Sequence, residues 1–210
     1  SPAMENNKLM RVRAKEKFWE GIVVPWEEAS HYIEEDDCIL IGPGMERGEE
    51  TRRIVNELLA KYPDKRWVVD GGALQEVDPQ LLNGNMIVTP NLREQEILGD
   101  KIPSGVTVLA KGALDIVSCG EERVEIAGGR PGMTKGGTGD VLAGLVAGLY
   151  VKSPAMASCV VASQVNKRAG EELEKRMGVF FSASDLIPSV QKVLGAMLWY
   201  SRVVRGRHET

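Results

Sequence analysis

Gly128-Gly129-Arg130-Pro131-Gly132-Met133-Thr134-Lys135-Gly136-Gly137-Thr138-Gly139-Asp140, followed at once by Val141-Leu142-Ala143-Gly144-Leu145-Val146-Ala147-Gly148, is the stretch on which the reading of this 210-residue chain turns. A loop dense in glycine ends in one carboxylate, and an apolar helical pattern begins there. Glycines let the backbone take positive φ and let a ligand reach the amides with no Cβ in the way. The first helical turn adds unpaired N–H groups and the positive end of the dipole. The junction is therefore suited to holding a phosphate. Asp140 beside a phosphate is repelled by it unless it has chemical work. The economical reading is a general base that takes a proton from a hydroxyl while the glycine amides hold the phosphoryl group moving onto it. The plainer alternative is an acidic residue in a first helical turn, favoured there by the dipole. Gly144 and Gly148, one turn apart, predict close packing of this helix beneath the loop. The stretch is not a Walker loop, because Lys135 precedes the glycines, and it is not a Rossmann Gly-x-Gly-x-x-Gly.

Upstream of this loop, short apolar runs alternate with amphipathic ones. Strands are predicted at Cys38-Ile39-Leu40-Ile41, Trp67-Val68-Val69-Asp70, Met86-Ile87-Val88 and Val106-Thr107-Val108-Leu109-Ala110, each closed by glycine, proline or a polar residue. Such compact runs suit buried strands of a parallel sheet. Helices are expected over 49–61, 73–82 and 92–98, with Ile54, Val55, Leu58 and Leu59 on one face of the first. A brief strand at Ile22-Val23-Val24, a short acidic helix over 26–35 and a basic helix over 8–17 precede them. Residues 116–118 and 124–126 form a small hairpin about Gly120. Helices over 141–151, 154–177 and 183–200 complete the chain, with Ser184-Asp185 as a cap for the last. Strand–helix alternation indicates an α/β fold with a parallel sheet. Gly44, Asp70, Asn91, Lys111 and Asp140 each lie just past a strand or strand-like run. Ligands of open α/β sheets bind at that rim.

The length suits one domain, here residues 37–200 after an extension of 1–36 and before a tail of 201–210. A net charge of −4 and the lack of a basic stripe argue against a nucleic-acid partner. Arg202, Arg205 and Arg207 read as a solvated tail. Cys38, Cys119 and Cys159 read as buried thiols in a reducing compartment. No leader-like start and no run long enough for a membrane helix are visible, which predicts a cytoplasmic chain with no membrane partner. With only His31 and His208, a Ser-His-Asp hydrolase or a His-rich metal site is hard to build, so carboxylates, lysines and amides must carry any catalysis.

From Cys38 to Leu194 the chain resembles the ribokinase-like superfamily, and within it the nicotinamide nucleotide hydrate dehydratases. The resemblance rests on Gly42-Pro43-Gly44, on Asp70 with Ala73-Leu74 (Gly72 standing where the family has a second acid), and on Thr89-Pro90-Asn91 with Glu94. It continues through Lys111-Gly112, Arg130-Pro131-Gly132-Met133 with Gly136-Gly137-Thr138-Gly139-Asp140, and Ser182 to Ile187. Met45-Glu46 replaces the family's Leu-Gly, and Arg130 its Asn. The fold this implies is a ribokinase-like parallel-sheet sandwich with helices on both faces, without counterparts of the family's first strand–helix units before Cys38.

The resemblance implies nucleotide-dependent dehydration of hydrated NADH or NADPH, with ATP or ADP phosphorylating the ring hydroxyl and Mg²⁺ arriving with the nucleotide. Asp140, Gly137 and Gly139 become catalytic. Lys111, Gly112, Ala113, Leu114 and Asp115, together with Arg130, Pro131, Gly132, Met133, Thr134, Lys135, Gly136, Gly137, Thr138 and Gly139, become nucleotide contacts. Gly44, Asn91, Glu94 and Asp140 become substrate contacts. It also implies a homo-oligomer. Residue by residue the alternatives stay open: Lys111 as an exposed lysine after a strand, Asn91 as a turn residue after proline, Asp70 as the close of its strand turn. A small-molecule alcohol kinase of the same superfamily, and a non-catalytic nucleotide-binding protein that has lost its substrate lobe, are the rival functions.

Overall fold

The computed structural model describes residues 12, 14–18 and 20–206, with side chains through 198. Half of the basic segment 8–17 and the side chains of the arginine tail, like His208, lie outside the described residues; the described part, 12 and 14–17, is helical. Six strands form one sheet in sequential order: β1 (Cys38–Ile41), β2 (Arg66–Val69), β3 (Met86–Val88), β4 (Thr107–Ala110), β5 (Asp115–Cys119) and β6 (Glu122–Ile126). β1 to β4 are parallel, and the hairpin β5–β6 extends the sheet antiparallel from β4. The α/β sandwich expected from the alternation is present, with a mixed sheet because the hairpin pairs with β4 instead of standing apart.

Helices α1 (Ala29–Glu35), α2 (Glu49–Lys61), α3 (Gly71–Glu76) and α4 (Leu92–Leu98) lead up to or connect the parallel strands. On one face Trp67 and Val69 of β2 pack with Val55, Leu59, Ala73 and Leu74. Val68 points to the other face, among Ile87, Leu109, Leu142 and Val146. This period-two division of an all-apolar strand is the mark of a sheet covered on both sides. The second face is covered by α5 (Thr138–Tyr150) and α6 (Ala155–Met177), and α7 (Ala183–Gly206) packs outside α6 through Leu186, Val190 and Val193. Full burial of each such side chain contributes about 1.5–3 kcal/mol.

Several local expectations are corrected. Residues 22–24 form no strand and join no ladder, because no neighbouring strand among the described residues takes up their amides. The helix expected over 26–35 is a 3₁₀ turn, Trp26–Glu28, leading into α1. The one expected over 73–82 stops at Glu76 and resumes as a 3₁₀ turn at Pro79–Leu81, since proline disfavours a helical residue before it and Asp78 caps the new turn. Ser182, not Ser184, starts α7: its Oγ and N–H both donate to Asp185 Oδ2, at 2.6 and 2.8 Å. Cys159 is buried, but Cys38 and Cys119 are only half-buried. Burial pushes the Cys38 thiol up to about 11 and the Cys159 thiol to about 12. Gly144 and Gly148 do not pack beneath the loop; both face open space, because the buried stripe of α5 is Leu142, Ala143, Val146 and Tyr150.

The ends of β1 and β2 meet without room for a side chain. Gly42 has φ +116°, and a Cβ there would stand 1.7 Å from the carbonyl oxygen of Asp70. A Cβ on Gly72 would meet the Met45 carbonyl oxygen at 2.1 Å, so the packing there admits no side chain. Gly42→Ala is expected to destabilise the fold by roughly 2–4 kcal/mol, through strain at positive φ and the backbone clash. Urea denaturation with an unchanged midpoint would show that the two turns are not coupled.

Candidate active site

Four chain segments converge at the carboxyl ends of the parallel strands. Backbone bonds continue one residue past the strands: Asp70 N donates to Ile41 O (3.0 Å), Thr89 N to Val69 O (3.2 Å) and Lys111 N to Pro90 O (2.7 Å). These bonds fix the register of the rim. Asp70, only 1% exposed, accepts from Lys111 Nζ at 2.6 Å and from Thr89 Oγ1 at 2.8 Å. Lys111 is thus neither a solvated lysine nor unpaired. Its ammonium also lies 3.4 Å from where a Cβ of Gly139 would be, so the cation sits against the start of α5.

The glycine loop is held from outside by its own anchors. Thr138 Oγ1 donates to the carbonyls of Met133 (2.5 Å) and Lys135 (2.8 Å). Lys135 Nζ donates to the carbonyls of Val179 and Phe181. Arg130 pairs with Glu174 at 3.0 Å, and Gly129 N donates to Glu171. Gly137 takes the left-handed conformation, φ +88°, that turns the chain into α5. The N–H groups of Gly139 and Asp140 have no backbone acceptor among the described residues. Asp140 is exposed, and no described residue pairs with its carboxylate. Unpaired amides, a helix N-terminus, a lysine and an uncommitted carboxylate at one junction can hold a phosphoryl group and remove a proton beside it.

A cavity of about 670 Å³ opens between this loop, the Lys111 turn and α6. Of the predicted nucleotide contacts, residues 111–113, 115, 130, 131, 133–135, 138 and 139 line it, whereas Leu114, Gly132, Gly136 and Gly137 do not. Gly132 is instead packed where a Cβ would stand 2.6 Å from a carbon of the Phe181 ring. Of the predicted substrate contacts only Asn91 lines the cavity. Asn91 Oδ1 and the Glu94 carboxylate exchange bonds with each other's backbone N–H in a capping box, and Gln75 donates to Glu94 as well. Both side chains therefore shape the start of α4. Gly44 (φ +71°) and Asp140 lie outside the lining.

Two cavity residues on α6 were not foreseen, Asn166 and Lys167, each 5% exposed. Lys167 Nζ reaches the carbonyls of Gly112, Ala113 and Gly128 at 3.1–3.2 Å and the Asp115 carboxylate at 3.3 Å. Asp115 also accepts from Gly112 N at 2.9 Å and Ser163 Oγ at 2.7 Å. One buried cation thereby ties the Lys111 turn to the start of the glycine loop. The signal was present in the sequence: Ser163, Asn166, Lys167 and Gly170 follow helical spacing among apolar residues, a polar stripe inside a helix that is otherwise core.

Comparisons with known proteins agree with this geometry. The model of the Carb_kinase family, described as NAD(P)H-hydrate dehydratase, matches residues 6–192, beginning well before Cys38. An ADP-dependent (S)-NAD(P)H-hydrate dehydratase of Nitrosopumilus maritimus is 36% identical over 179 residues, covering 75% of this chain and 62% of that protein. A bifunctional NAD(P)H-hydrate repair enzyme of Methanocaldococcus jannaschii is 35% identical over 164 residues, covering 75% of this chain and 33% of its own length. The chain thus spans less than two thirds of these curated relatives. Among solved structures, a ribokinase-like superfamily protein from Enterococcus faecalis superposes with a TM-score of 0.73 at 25% identity, over 90% of this chain and 75% of that one. The ADP/ATP-dependent NAD(P)H-hydrate dehydratase of Bacillus subtilis, co-crystallised with ATP/Mg²⁺ and soaked with CoA, shares the fold with a TM-score of 0.63 at 20% identity, over 76% and 66%. With a ribokinase-like fold and a family match across nearly its whole length, this chain belongs to the Carb_kinase family of NAD(P)H-hydrate dehydratases.

Proposed function

We propose that the chain dehydrates hydrated NADH or NADPH at the expense of ATP or ADP. The observation that carries this reading is the junction at Gly139-Asp140: unpaired amides and the Lys111 ammonium on one side, an unpaired exposed carboxylate on the other. The nucleotide lies in the 670 Å³ cavity with its terminal phosphate at the start of α5. Residues 111–113, 115, 130, 131, 133–135, 138 and 139 surround it. Asp140 takes the proton of the ring hydroxyl as that oxygen attacks the terminal phosphorus, and the shortened nucleotide leaves. The amides of Gly137 and Gly139 and the Lys111 ammonium hold the equatorial oxygens, since positioning and electrostatics supply most phosphoryl-transfer catalysis. The lone pair of the ring nitrogen then expels phosphate, and loss of a proton from the adjacent carbon restores the reduced ring.

Gly44, Asn91 and Glu94 border the substrate side, with Asn91 offering its side-chain NH₂ while Oδ1 is engaged in the cap. Among the described residues no three acidic, histidine or cysteine side chains converge to hold a metal by themselves. Mg²⁺ carried on nucleotide phosphates needs only one or two protein carboxylates, and it would neutralise phosphate charge there. Within this reading residues 37–200 are the catalytic unit. The reducing cytoplasm suits three cysteines that form no disulfide; no described helix is long and apolar enough to cross a membrane.

The decisive assay supplies hydrated NADH or NADPH with ATP or ADP and follows the reduced-nicotinamide absorbance together with free phosphate. A nucleotide-dependent rise with stoichiometric phosphate is expected. A stable phosphorylated product with no phosphate release would instead identify an alcohol kinase. Asp140→Asn keeps size but removes basicity, so kcat is expected to fall by about a hundredfold or more while nucleotide affinity holds. Retention of most of the turnover would sink the general-base role.

Lys111→Ala is expected to weaken ADP binding by about tenfold or more. It also strands the buried Asp70 carboxylate, which costs about 3–5 kcal/mol of stability. The double variant Lys111→Ala, Asp70→Asn should regain stability but not affinity. Recovery of ADP affinity in calorimetry would show that Lys111 acts only as the partner of Asp70.

Self-association belongs to the same proposal. β1 pairs only with β2 among the described residues, leaving a strand edge that a second copy can cover. Sedimentation at micromolar concentration should show an oligomer; a stable monomer would overturn it.

A further inference from the structure

We propose that Lys167 is a positioning residue for the nucleotide: its ammonium fills a cage of oxygen atoms shared by two walls of the cavity, and a small free ammonium such as methylammonium can take its place there. The proposal rests on the nucleotide reading above and adds what keeps the cavity at the width of its ligand. Lys167 Nζ stands 3.2 Å from the carbonyl oxygen of Gly112, 3.1 Å from that of Ala113, 3.2 Å from that of Gly128 and 3.3 Å from Asp115 Oδ1. Gly112 and Ala113 form the turn between β4 and β5, Asp115 begins β5, and Gly128 opens the glycine loop after β6. The cation itself comes from α6, so one nitrogen joins three parts of the chain.

Without a cation this arrangement repels itself. Three carbonyls converge with the negative ends of their dipoles, and Asp115 adds a carboxylate whose side chain is only 7% exposed. No turn or loop N–H among the described residues donates to those three carbonyls. A buried carboxylate is tolerated only when paired and hydrogen-bonded. Converging carbonyl oxygens are also what replaces the hydration shell of a bound monovalent cation. An ammonium offers three donors and no acceptor, so four oxygens at similar distances use it fully.

The ammonium and its stem hold the glycine loop in different ways. A Cβ on Gly129 would stand 3.3 Å from Lys167 Cγ, and one on Gly128 3.8 Å from Lys167 Cβ, so the loop lies along the stem. Glu171, one turn further along α6, accepts from Gly129 N at 3.1 Å and keeps the loop on the helix when the ammonium is lost. The tie from the Gly112-Ala113 turn to the loop has the ammonium as its bridge. Removing the charge therefore changes the width of the cavity between them. None of the bonds made by Lys167 reaches Lys111, Gly139 or Asp140, so the loss falls on nucleotide binding and spares the chemical step.

The test titrates the whole chain with ADP and Mg²⁺ by calorimetry and measures turnover of hydrated NADH in parallel. Lys167→Ala empties the cage, and Lys167→Met keeps a stem of similar length without the charge. Both are expected to bind ADP about tenfold or more weakly, as follows when about one molecule in ten holds the walls at binding width. At saturating nucleotide, kcat should stay within about threefold of wild type. Methylammonium chloride at about 50 mM should strengthen ADP binding by the Ala variant about threefold or more and raise its melting temperature. The Met variant, whose side chain fills the cage, should change less than about twofold. Tetramethylammonium and sodium chlorides at the same concentration control for ionic strength. If Lys167→Ala does not fold, the double variant Lys167→Ala, Asp115→Asn removes the stranded charge, keeps the three carbonyls and is compared with and without methylammonium. Unchanged ADP affinity below the melting transition shows a purely structural lysine and overturns the proposal. So does a fall in kcat as large as the fall in affinity, the lack of any methylammonium effect, or equal recovery with tetramethylammonium. A wild type that binds no ADP overturns the nucleotide reading and the positioning role together, while a methylammonium-dependent melting temperature of the Ala variant still upholds the cage. Lys167-dependent ADP binding without dehydration of hydrated NADH upholds the positioning role and removes only the reaction.

Discussion

The pair formed by Lys111 and Asp70 is the interaction on which the rim of this molecule depends. The two residues come from the ends of strands that are not neighbours, with β3 between them, and Thr89 at the end of β3 donates to the same carboxylate oxygen. Three strand ends are thus joined by one buried oxygen atom. A buried charge is tolerated only when paired and hydrogen-bonded, so Asp70 requires Lys111, and Lys111 is held against Gly139. In the proposed reaction the cation is already in place for a phosphate at the first turn of α5. Preorganisation of this kind avoids reorganisation at the moment of reaction.

A second buried cation repeats the logic one layer away. Lys167 binds no strand end; it gathers carbonyls from the Lys111 turn and from the beginning of the glycine loop, and Asp115 neutralises it. The two lysines divide the work. Lys111 presents charge toward the helix terminus, whereas Lys167 sets the distance between two walls of the cavity. Replacing either by an apolar residue leaves a carboxylate buried without its partner, so stability and site geometry are linked at both places.

The glycine loop was legible because its composition and its chemistry coincide. No ordinary helix start needs so many glycines, and the positive φ of Gly128, Gly129 and Gly137 shows the backbone using that freedom. The parallel strands were legible for a related reason: short apolar runs closed by glycine or proline have few alternatives to a covered sheet. Features that depend on a packing partner differ from what spacing alone predicts. Gly144 and Gly148 were placed under the loop by their spacing alone, but the direction a helix faces is set by what packs on it, here the stripe through Leu142, Val146 and Tyr150. Of Ser184-Asp185, only Asp185 takes part in the cap of α7, because Ser182 has the backbone position from which Asp185 can be reached.

By itself the sequence determined the α/β class, the position of the glycine turn before α5 and the candidacy of Asp140, because these follow from local spacing and backbone freedom. Tertiary structure alone decided that Asp70 holds Lys111, that Asn91 and Glu94 close on each other as a cap, and that Asn166 and Lys167 reach the cavity from a helix far along the chain. Pairings of this kind join residues 41 to 55 positions apart for Lys111–Asp70 and Lys167–Gly112. Their identity depends on which strand ends and helix faces the fold brings within about 3 Å of each other, and hydrogen-bond reach in space leaves no trace in the spacing of residues along the chain.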